Sequence, residues 1–315
     1  MDNQLAGVAA ERRVWGVVPA ETRQALETGL ASTDLQTMLM AVARARARTI
    51  TPARILRRWR HDRFVRPSTS DPRLLAQLEA KLWRLLPQRF AGVELSPVAP
   101  LGTCSAVAPV DQHRVVSTVR GTEVLSDPTN ALAIEAAARR REQCVDGRVD
   151  LAACHRVLRA QQFDPGNAAH FRLFALASSA RDRGSGRTEA QLLIDHVRFW
   201  QLVLAEMLPT TATRITVTVF GHHVLAERLH DTIHPALTGA STAVPVVEDS
   251  TRIHGTGYYT GIAIGLRADV RGQTIDLGDG GLTTWTAQLI NTAKERCMVS
   301  CISTERLTAL AERHH

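Results

Sequence analysis

Apolar residues recur at helical spacing through the first sixty positions. Leu35, Met38, Leu39 and Val42 fall three and four apart, and Ile55, Leu56 and Trp59 share one face after a Thr51-Pro52 start. Pro19-Ala20-Glu21-Thr22 is an earlier start signal, with proline in the first turn and an acid behind it. Residues 1 to about 66 are therefore predicted to be helical. Arg66-Pro67-Ser68-Thr69-Ser70-Asp71-Pro72 is rich in turn formers. It divides a helical module, residues 1–70, from a larger unit, residues 71–315.

In the larger unit, Leu74, Leu75, Leu78, Leu82, Leu85 and Leu86 predict an amphipathic helix stopped at Pro87. Val93-Glu94-Leu95 and residues 115–119 read as short strands, and Asp127 stands where it would cap an alanine-rich helix running to Arg141. Strands dominate from Cys154 until a helix over about 188–207. Residues 215–220 alternate as a strand, and three more strands and a helix over 284–293 close the chain. Helices and strands mix without regular βαβ alternation. The expected class is α+β, a mainly antiparallel sheet flanked by helices.

The chain has 315 residues, 44% hydrophobic and 22% charged, enough for one large core or two modest ones. No apolar run approaches the roughly 18 residues of a membrane span. The start, Met1-Asp2-Asn3-Gln4, lacks the basic and apolar segments of a secretory signal. A cytoplasmic protein with no membrane partner is expected. Net charge is +7, and the only lysines are Lys81 and Lys294. Arginines crowd the stretch from Arg44 to Arg66, where Asp62 is the sole acid. Such a segment suits a phosphate backbone, or equally a helix with a solvated polar face. Cys104, Cys144, Cys154, Cys297 and Cys301 form no CxxC knuckle. The pairs Cys297/Cys301 and His230/His234 have the spacing of a helix face but read as packing and solvated positions, so no metal cage is expected.

The chemistry concentrates in two segments, 157–161 and 170–174, joined through the turn formers Asp164-Pro165-Gly166-Asn167. On such a hairpin Arg159 and the 170–174 segment would face one ligand. A guanidinium grips phosphate with two hydrogen bonds, and a phenylalanine offers its face to a purine.

This hairpin resembles motif 2 of the class II aminoacyl-tRNA synthetases: an Arg-x-Glu strand, a loop, then His or Arg, three residues and Phe. The resemblance implies that Arg159 holds the ATP α-phosphate, His170 reaches the terminal phosphate and Phe174 packs on adenine. Gln161 stands where the family usually has Glu, and would meet the adenine edge without charge. Residues 300–307 resemble motif 3, with Glu305-Arg306 retained and Arg306 on the γ-phosphate. Cys301 and Ser303 replace two glycines there, which would narrow the ATP floor. The helix–strand–proline unit ending at Pro97 fits motif 1, implying a homodimer.

Gly257-Tyr258-Tyr259-Thr260-Gly261 is similar to an element lining the amino-acid pocket of histidyl-tRNA synthetases and of the related regulatory subunit of ATP phosphoribosyltransferase. By that resemblance the substrate residues are Asp127, Thr129, Tyr258, Tyr259 and Gly280. Glu189 and Asp279 are candidate acids for Mg²⁺ or a substrate ammonium, with Glu189 preferred for the metal. Departures are clear. His254-Gly255-Thr256-Gly257 stands in place of Arg-Gly-Leu-Asp, Arg252 lies two residues early, and Gly278-Asp279-Gly280-Gly281 lacks the following Arg-Tyr-Asp. The resemblance implies ATP- and Mg²⁺-dependent adenylation of an amino acid or related carboxylate, with Arg159 and Arg306 catalytic. The acceptor stays open among tRNA, a carrier protein and a small amine. An anticodon-binding domain is not expected so soon after motif 3. The alternatives are a non-catalytic regulatory subunit, and an RNA- or partner-docking protein on an inert synthetase fold.

Overall fold

The computed structural model describes residues 2–142, 147–163, 168–238 and 243–312; Cys144 and the turn residues 164–167 lie outside the described residues. The strands are β1 (Ala91–Gly92), β2 (Val98–Pro100), β3 (Thr122–Val124), β4 (Val149–Leu158), β5 (His170–Arg181), β6 (Ala212–Val219), β7 (Val246–Glu248), β8 (Ile262–Val270), β9 (Gln273–Thr283) and β10 (Glu295–Ser303). One eight-stranded sheet runs in the order β1-β4-β5-β10-β9-β8-β6-β7, and β2 and β3 form a separate two-stranded sheet. The interior pairs are antiparallel. The edge pairs β1·β4 and β6·β7 are parallel. This is the α+β architecture expected.

Side chains alternate across the sheet, and the alternation builds two cores. Leu173, Ala175 and Ala177 of β5 join Cys297, Val299 and Cys301 of β10 on one face, against Leu132, Ala133 and Ala136 of the helix Pro128–Glu142. Phe174 and Leu176 of β5 join Met298 and Ile302 on the other, under the helices Pro72–Leu85 and Arg187–Met207. Asp127 caps the first of these helices as expected: its Oδ1 accepts from the Thr129 amide at 2.9 Å and the Thr129 hydroxyl at 2.7 Å. No helix among the described residues is long and apolar enough to cross a membrane.

Three predicted elements shift. The strand expected at 93–95 forms instead at Ala91–Gly92, although the Val93 amide still donates to Ala152. Residues 115–119 fold back around β3, with Thr118 bonded to Thr122 across the Gly121 turn. The closing helix stops at Leu289, and Asn291 turns the chain at φ 53°. Cys297 and Cys301 lie on strand β10 rather than on a helix.

One buried network pins the helix Arg187–Met207 to the sheet. Ser178 gives its only hydroxyl hydrogen to Asp150, so His196 Nε2 must donate to Ser178 Oγ at 2.9 Å. Trp200 Nε1 donates to Ser300 Oγ at 2.8 Å, leaving the Ser300 hydroxyl to donate to His196 Nδ1 at 2.8 Å. His196 is fully buried, and burial, with the charges of Arg148 and Arg89, holds its pKa well below 6.5. The unfolded chain therefore takes up a proton near pH 6.5 that the folded chain refuses, so this histidine withdraws stability as pH falls below that value. Denaturant unfolding between pH 7.5 and 5.5 should show a wild-type loss steeper than that of His196→Gln, by up to about 1.4 kcal/mol per pH unit. Equal slopes would refute the assignment.

Candidate functional site

Where β4 ends, Arg159 continues the hairpin by donating its amide to Ala169 at 2.8 Å. Its Nε donates to the Ser126 carbonyl at 2.9 Å, its Nη2 lies 3.4 Å from Asp127 Oδ2, and its guanidinium sits 5.2 Å from the Phe171 ring centroid. Asp127 thus uses one oxygen to cap its helix and the other to meet Arg159. Tyr258 directs its hydroxyl at that same Oδ2, 3.3 Å away, and at Asn130 Oδ1, 3.4 Å away.

Tyr259 stands edge-on to Tyr258, with ring centroids 4.9 Å apart. Its ring occupies space that only glycine leaves: a Cβ on Gly281 would fall 2.6 Å from it, and one on Gly255 3.0 Å. Beside it Arg252, only 6% exposed, donates to the carbonyls of His254 at 2.9 Å and Ile264 at 2.7 Å, and pairs with Asp279 at 3.2 Å.

These groups line two adjoining cavities. The larger, about 420 Å³, is walled by Phe171, Leu173, Arg252, Arg267, Gly278, Cys301, Ser303, Glu305 and Arg306. The smaller, about 280 Å³, is walled by Asn130, Gln161, Gly255, Tyr258 and Tyr259. Asp127, Arg159 and Asp279 line both. Ser303 and Cys301 stand in the wall, and the cavity stays open beside them.

The electrostatics follow from this crowding. Burial pushes the Tyr258 phenol well up, and Asp127 adds to it; burial and Asp279 do the same to Tyr259. Burial also raises Asp279, opposed by Arg252 and reinforced by Asp127, although 44% of its side chain stays open to the cavity. Burial alone would lower Arg159, but Asp127 and the other groups around it leave its pKa raised. Arg267 is lowered by burial and by Arg252, so an anion beside it would relieve a real repulsion. Each carboxylate in the larger cavity already meets an arginine: Asp127 with Arg159, Asp276 with Arg267, Asp279 with Arg252, Glu305 with Arg156. A Mg²⁺ ion needs uncommitted oxygens in near-octahedral array. Among the described residues no three such donors converge, so this set does not fit one.

Among the residues expected to act, Arg159, Asp127, Tyr258, Tyr259, Gln161 and Arg306 gather here; Gln161 lies on the side of the tyrosines. Arg306 donates to the Asp276 carbonyl at 2.7 Å. Thr129 is buried with its hydroxyl spent on Asp127, and Gly280 is packed where a Cβ would meet Ser300 at 2.4 Å. Neither lines a cavity.

Three expectations are corrected. Phe174 is fully buried on the opposite face, among Trp83, Phe199 and Trp200, because it sits one strand position out of phase with the cavity. His170 shares that phase: its Nε2 donates to the Arg66 carbonyl at 2.7 Å and its Nδ1 accepts from Arg156 at 2.9 Å. Glu189 pairs with Arg296 at 2.6 Å, near the start of β10, whereas the cavity lies near its end. Five to seven strand residues separate them, about 17–23 Å. The groups overlooked were Phe171, Arg267 and Gly278. Strand alternation counted from Leu173 would have indicated the first.

No family model and no curated protein matches the sequence. Solved structures do. Apo histidyl-tRNA synthetase from S. aureus matches at 14% identity and TM-score 0.57, over 77% of this chain and 66% of that one. A protein described as an ATP phosphoribosyltransferase regulatory subunit/histidyl-tRNA synthetase, from Bacillus halodurans, matches at 12% and 0.59, over 78% and 82%. A histidine–tRNA ligase subunit from Alicyclobacillus acidocaldarius matches at 14% and 0.55, over 79% and 97%. The chain thus has the fold of the class II aminoacyl-tRNA synthetases. It spans just under two thirds of the staphylococcal enzyme, 66% of its length.

The two phenylalanines separate by experiment. Phe174→Ala should destabilise the protein by about 3–5 kcal/mol in denaturant unfolding. Phe171→Ala, at the cavity wall, should leave stability within about 1 kcal/mol of wild type. The reverse order would return Phe174 to the site.

Proposed function

We propose that this chain activates a carboxylate, an amino acid or a close relative, by ATP-dependent adenylation. The observation that carries the reading is the pair of chambers meeting at Arg159, Asp127 and Asp279. Adenylation needs two ligands brought together at one phosphorus, and a cation at the join.

In this reading the larger chamber takes the nucleotide. Phe171 offers a face to the base, and Arg306 and Arg267 meet the outer phosphates. The smaller chamber takes the substrate between Tyr258, Tyr259 and Asp127. Its carboxylate oxygen attacks the α-phosphorus, an O–P bond forms, and the α–β bridging bond breaks to release pyrophosphate. Arg159 turns from Asp127 to the α-phosphate and stabilises charge that develops there. The freed Asp127, with Asp279, can then hold a substrate ammonium. Alignment and charge stabilisation of this kind supply most of such a rate.

A homodimer built on the helix Pro72–Leu85 and β1 belongs to the same proposal, as does the division into a 1–70 module and a 71–315 core. A regulatory role is the second reading. It is favoured by the buried Phe174, by His170 already occupied by Arg66, and by cavity charges that satisfy one another.

Amino-acid-dependent exchange of labelled pyrophosphate into ATP, screened across carboxylates, tests the reading. Exchange should occur with a small or apolar carboxylate rather than histidine, since the donors of Arg252 are spent on His254, Ile264 and Asp279. Arg159→Ala should lower it roughly 10²–10³-fold, and Arg66→Ala should leave it unchanged. Strong exchange with histidine alone would overturn the substrate assignment. Calorimetry that finds amino-acid binding but no ATP binding would establish the regulatory reading instead. Light scattering at micromolar concentration should give a dimer, and a monomer would sink that part.

A further inference from the structure

The helix Pro52–His61 is strongly signalled by its sequence, yet none of its residues is buried. Pro52 occupies its first turn, the Thr51 side chain accepts from the Arg54 amide at 3.4 Å, and Arg58 pairs with Asp62 at 2.7 Å at its end. Every one of its residues is exposed. A helix this short is marginal in water without a partner for its apolar side.

Its sequence provides such a side. Pro52, Ile55, Leu56 and Trp59 recur at i, i+3, i+4 and i+7, which puts them on one stripe. Ile55 is 58% exposed, Leu56 53% and Trp59 51%. Arg54, Arg57, Arg58 and His61 occupy the opposite side, and Arg60 borders the stripe. The helix itself carries no acid.

We propose that this helix is a docking face for an anionic lipid surface. Charge complementarity and the apolar stripe must both be met by the occupant. A second copy would bring arginines against arginines, and the four residues of the stripe fall far short of the roughly 800 Å² per partner that a stable interface buries. An RNA backbone would satisfy the arginines and leave Ile55 and Leu56 in water. A lipid interface takes both: the stripe enters the acyl boundary, Arg60 at its border reaches the headgroups, and the cations on the opposite side add attraction to an anionic surface. This is contact with a surface, not a span, and it departs from the expectation of no membrane partner. Arg63, just past the helix, tethers it to the core: its guanidinium donates to the carbonyls of Ala160 and Gln161 on the Arg159 hairpin. The inference stands apart from the adenylation reading.

Co-sedimentation of the full chain with vesicles tests it. Binding should be at least ten times stronger to 3:1 phosphatidylcholine:phosphatidylglycerol than to phosphatidylcholine alone, and should weaken in high salt. The triple variant Ile55→Ser/Leu56→Ser/Trp59→Ser should lose at least tenfold in partitioning with an unchanged melting temperature. Leu202→Ser, an exposed apolar site on another helix, should change nothing. Trp59→Phe should abolish the blue shift of tryptophan emission on binding. Binding that ignores the triple variant and is displaced one-for-one by a single-stranded RNA would overturn the proposal in favour of a polyanion site. Self-association that the triple variant abolishes, with no vesicle binding, would overturn it in favour of a second copy.

Discussion

Everything around the cavity hangs on the contact between Asp127 and Arg159. One carboxylate serves three elements at once. Its Oδ1 starts the helix Pro128–Glu142, and its Oδ2 meets both the Arg159 guanidinium and the Tyr258 hydroxyl. Helix, hairpin and tyrosine loop are far apart in sequence, yet they cannot shift independently without breaking a hydrogen bond to that residue. With side chains 28% and 18% exposed, the pair is screened only in part, so its value lies in alignment more than in stability. The φ of +88° at Gly255 and the glycine at 281 complete the frame by giving Tyr259 room to lie beside it.

Strand alternation explains why the sequence was a good guide to the fold and a poorer one to the site. The sheet class, the capped helix after Asp127 and the helix Arg187–Met207 were legible because periodicity and capping are local signals. Arg159, Asp127 and the tyrosines were legible through motif spacing. Phe174 was misplaced because motif spacing ignores which face of a strand a residue takes. Sliding by one position moves a ring from a cavity wall to a core packed with Trp83, Phe199 and Trp200. Glu189 was misplaced for a different reason. Its carboxylate has an arginine partner 107 residues away on β10, and no local pattern announces such a contact. Arg252 shows the converse. It stands two residues early by sequence, yet the αL glycines at 255 and 257 bend the loop so that its side chain still lines the larger cavity.

The cavity charges are balanced before any ligand arrives. Four carboxylates meet four arginines, so an anionic ligand gains less than the guanidinium count suggests: contact with Arg159, Arg252 or Arg267 first breaks an ion pair, whereas Arg306 gives up only its bond to the Asp276 carbonyl. What such a site offers is exchange. A zwitterionic ligand can take both partners of a pair, its carboxylate side meeting the arginine and its ammonium side the aspartate, and leave no charge unmatched. A nucleotide alone would strand Asp127 and raise its cost. Binding of the two ligands is therefore expected to be mutually supportive, whether or not chemistry follows. In the adenylation reading the pair is shared between substrate and nucleotide; in the regulatory reading a zwitterionic ligand alone takes both partners.

The N-terminal segment adds a constraint that neither chamber has by itself. Arg63 donates to the backbone of Ala160 and Gln161, the Arg66 carbonyl accepts from His170, and Ser68 bonds Glu305 at 3.1 Å. These three contacts touch the residues after Arg159, the start of β5 and the residue before Arg306. A displacement of the 62–68 strap would therefore move both walls of the larger cavity together, since the hairpin and the β10 end share it as a brace. The side chains Arg156 and Glu305, joined at 2.7 Å beneath the strap, tie those two walls directly. His170, expected at a terminal phosphate, instead holds the brace in place. Its absence from the cavity and its contact with the strap follow from one fact: the strand phase that removes it from the cavity points it at Arg66 and Arg156.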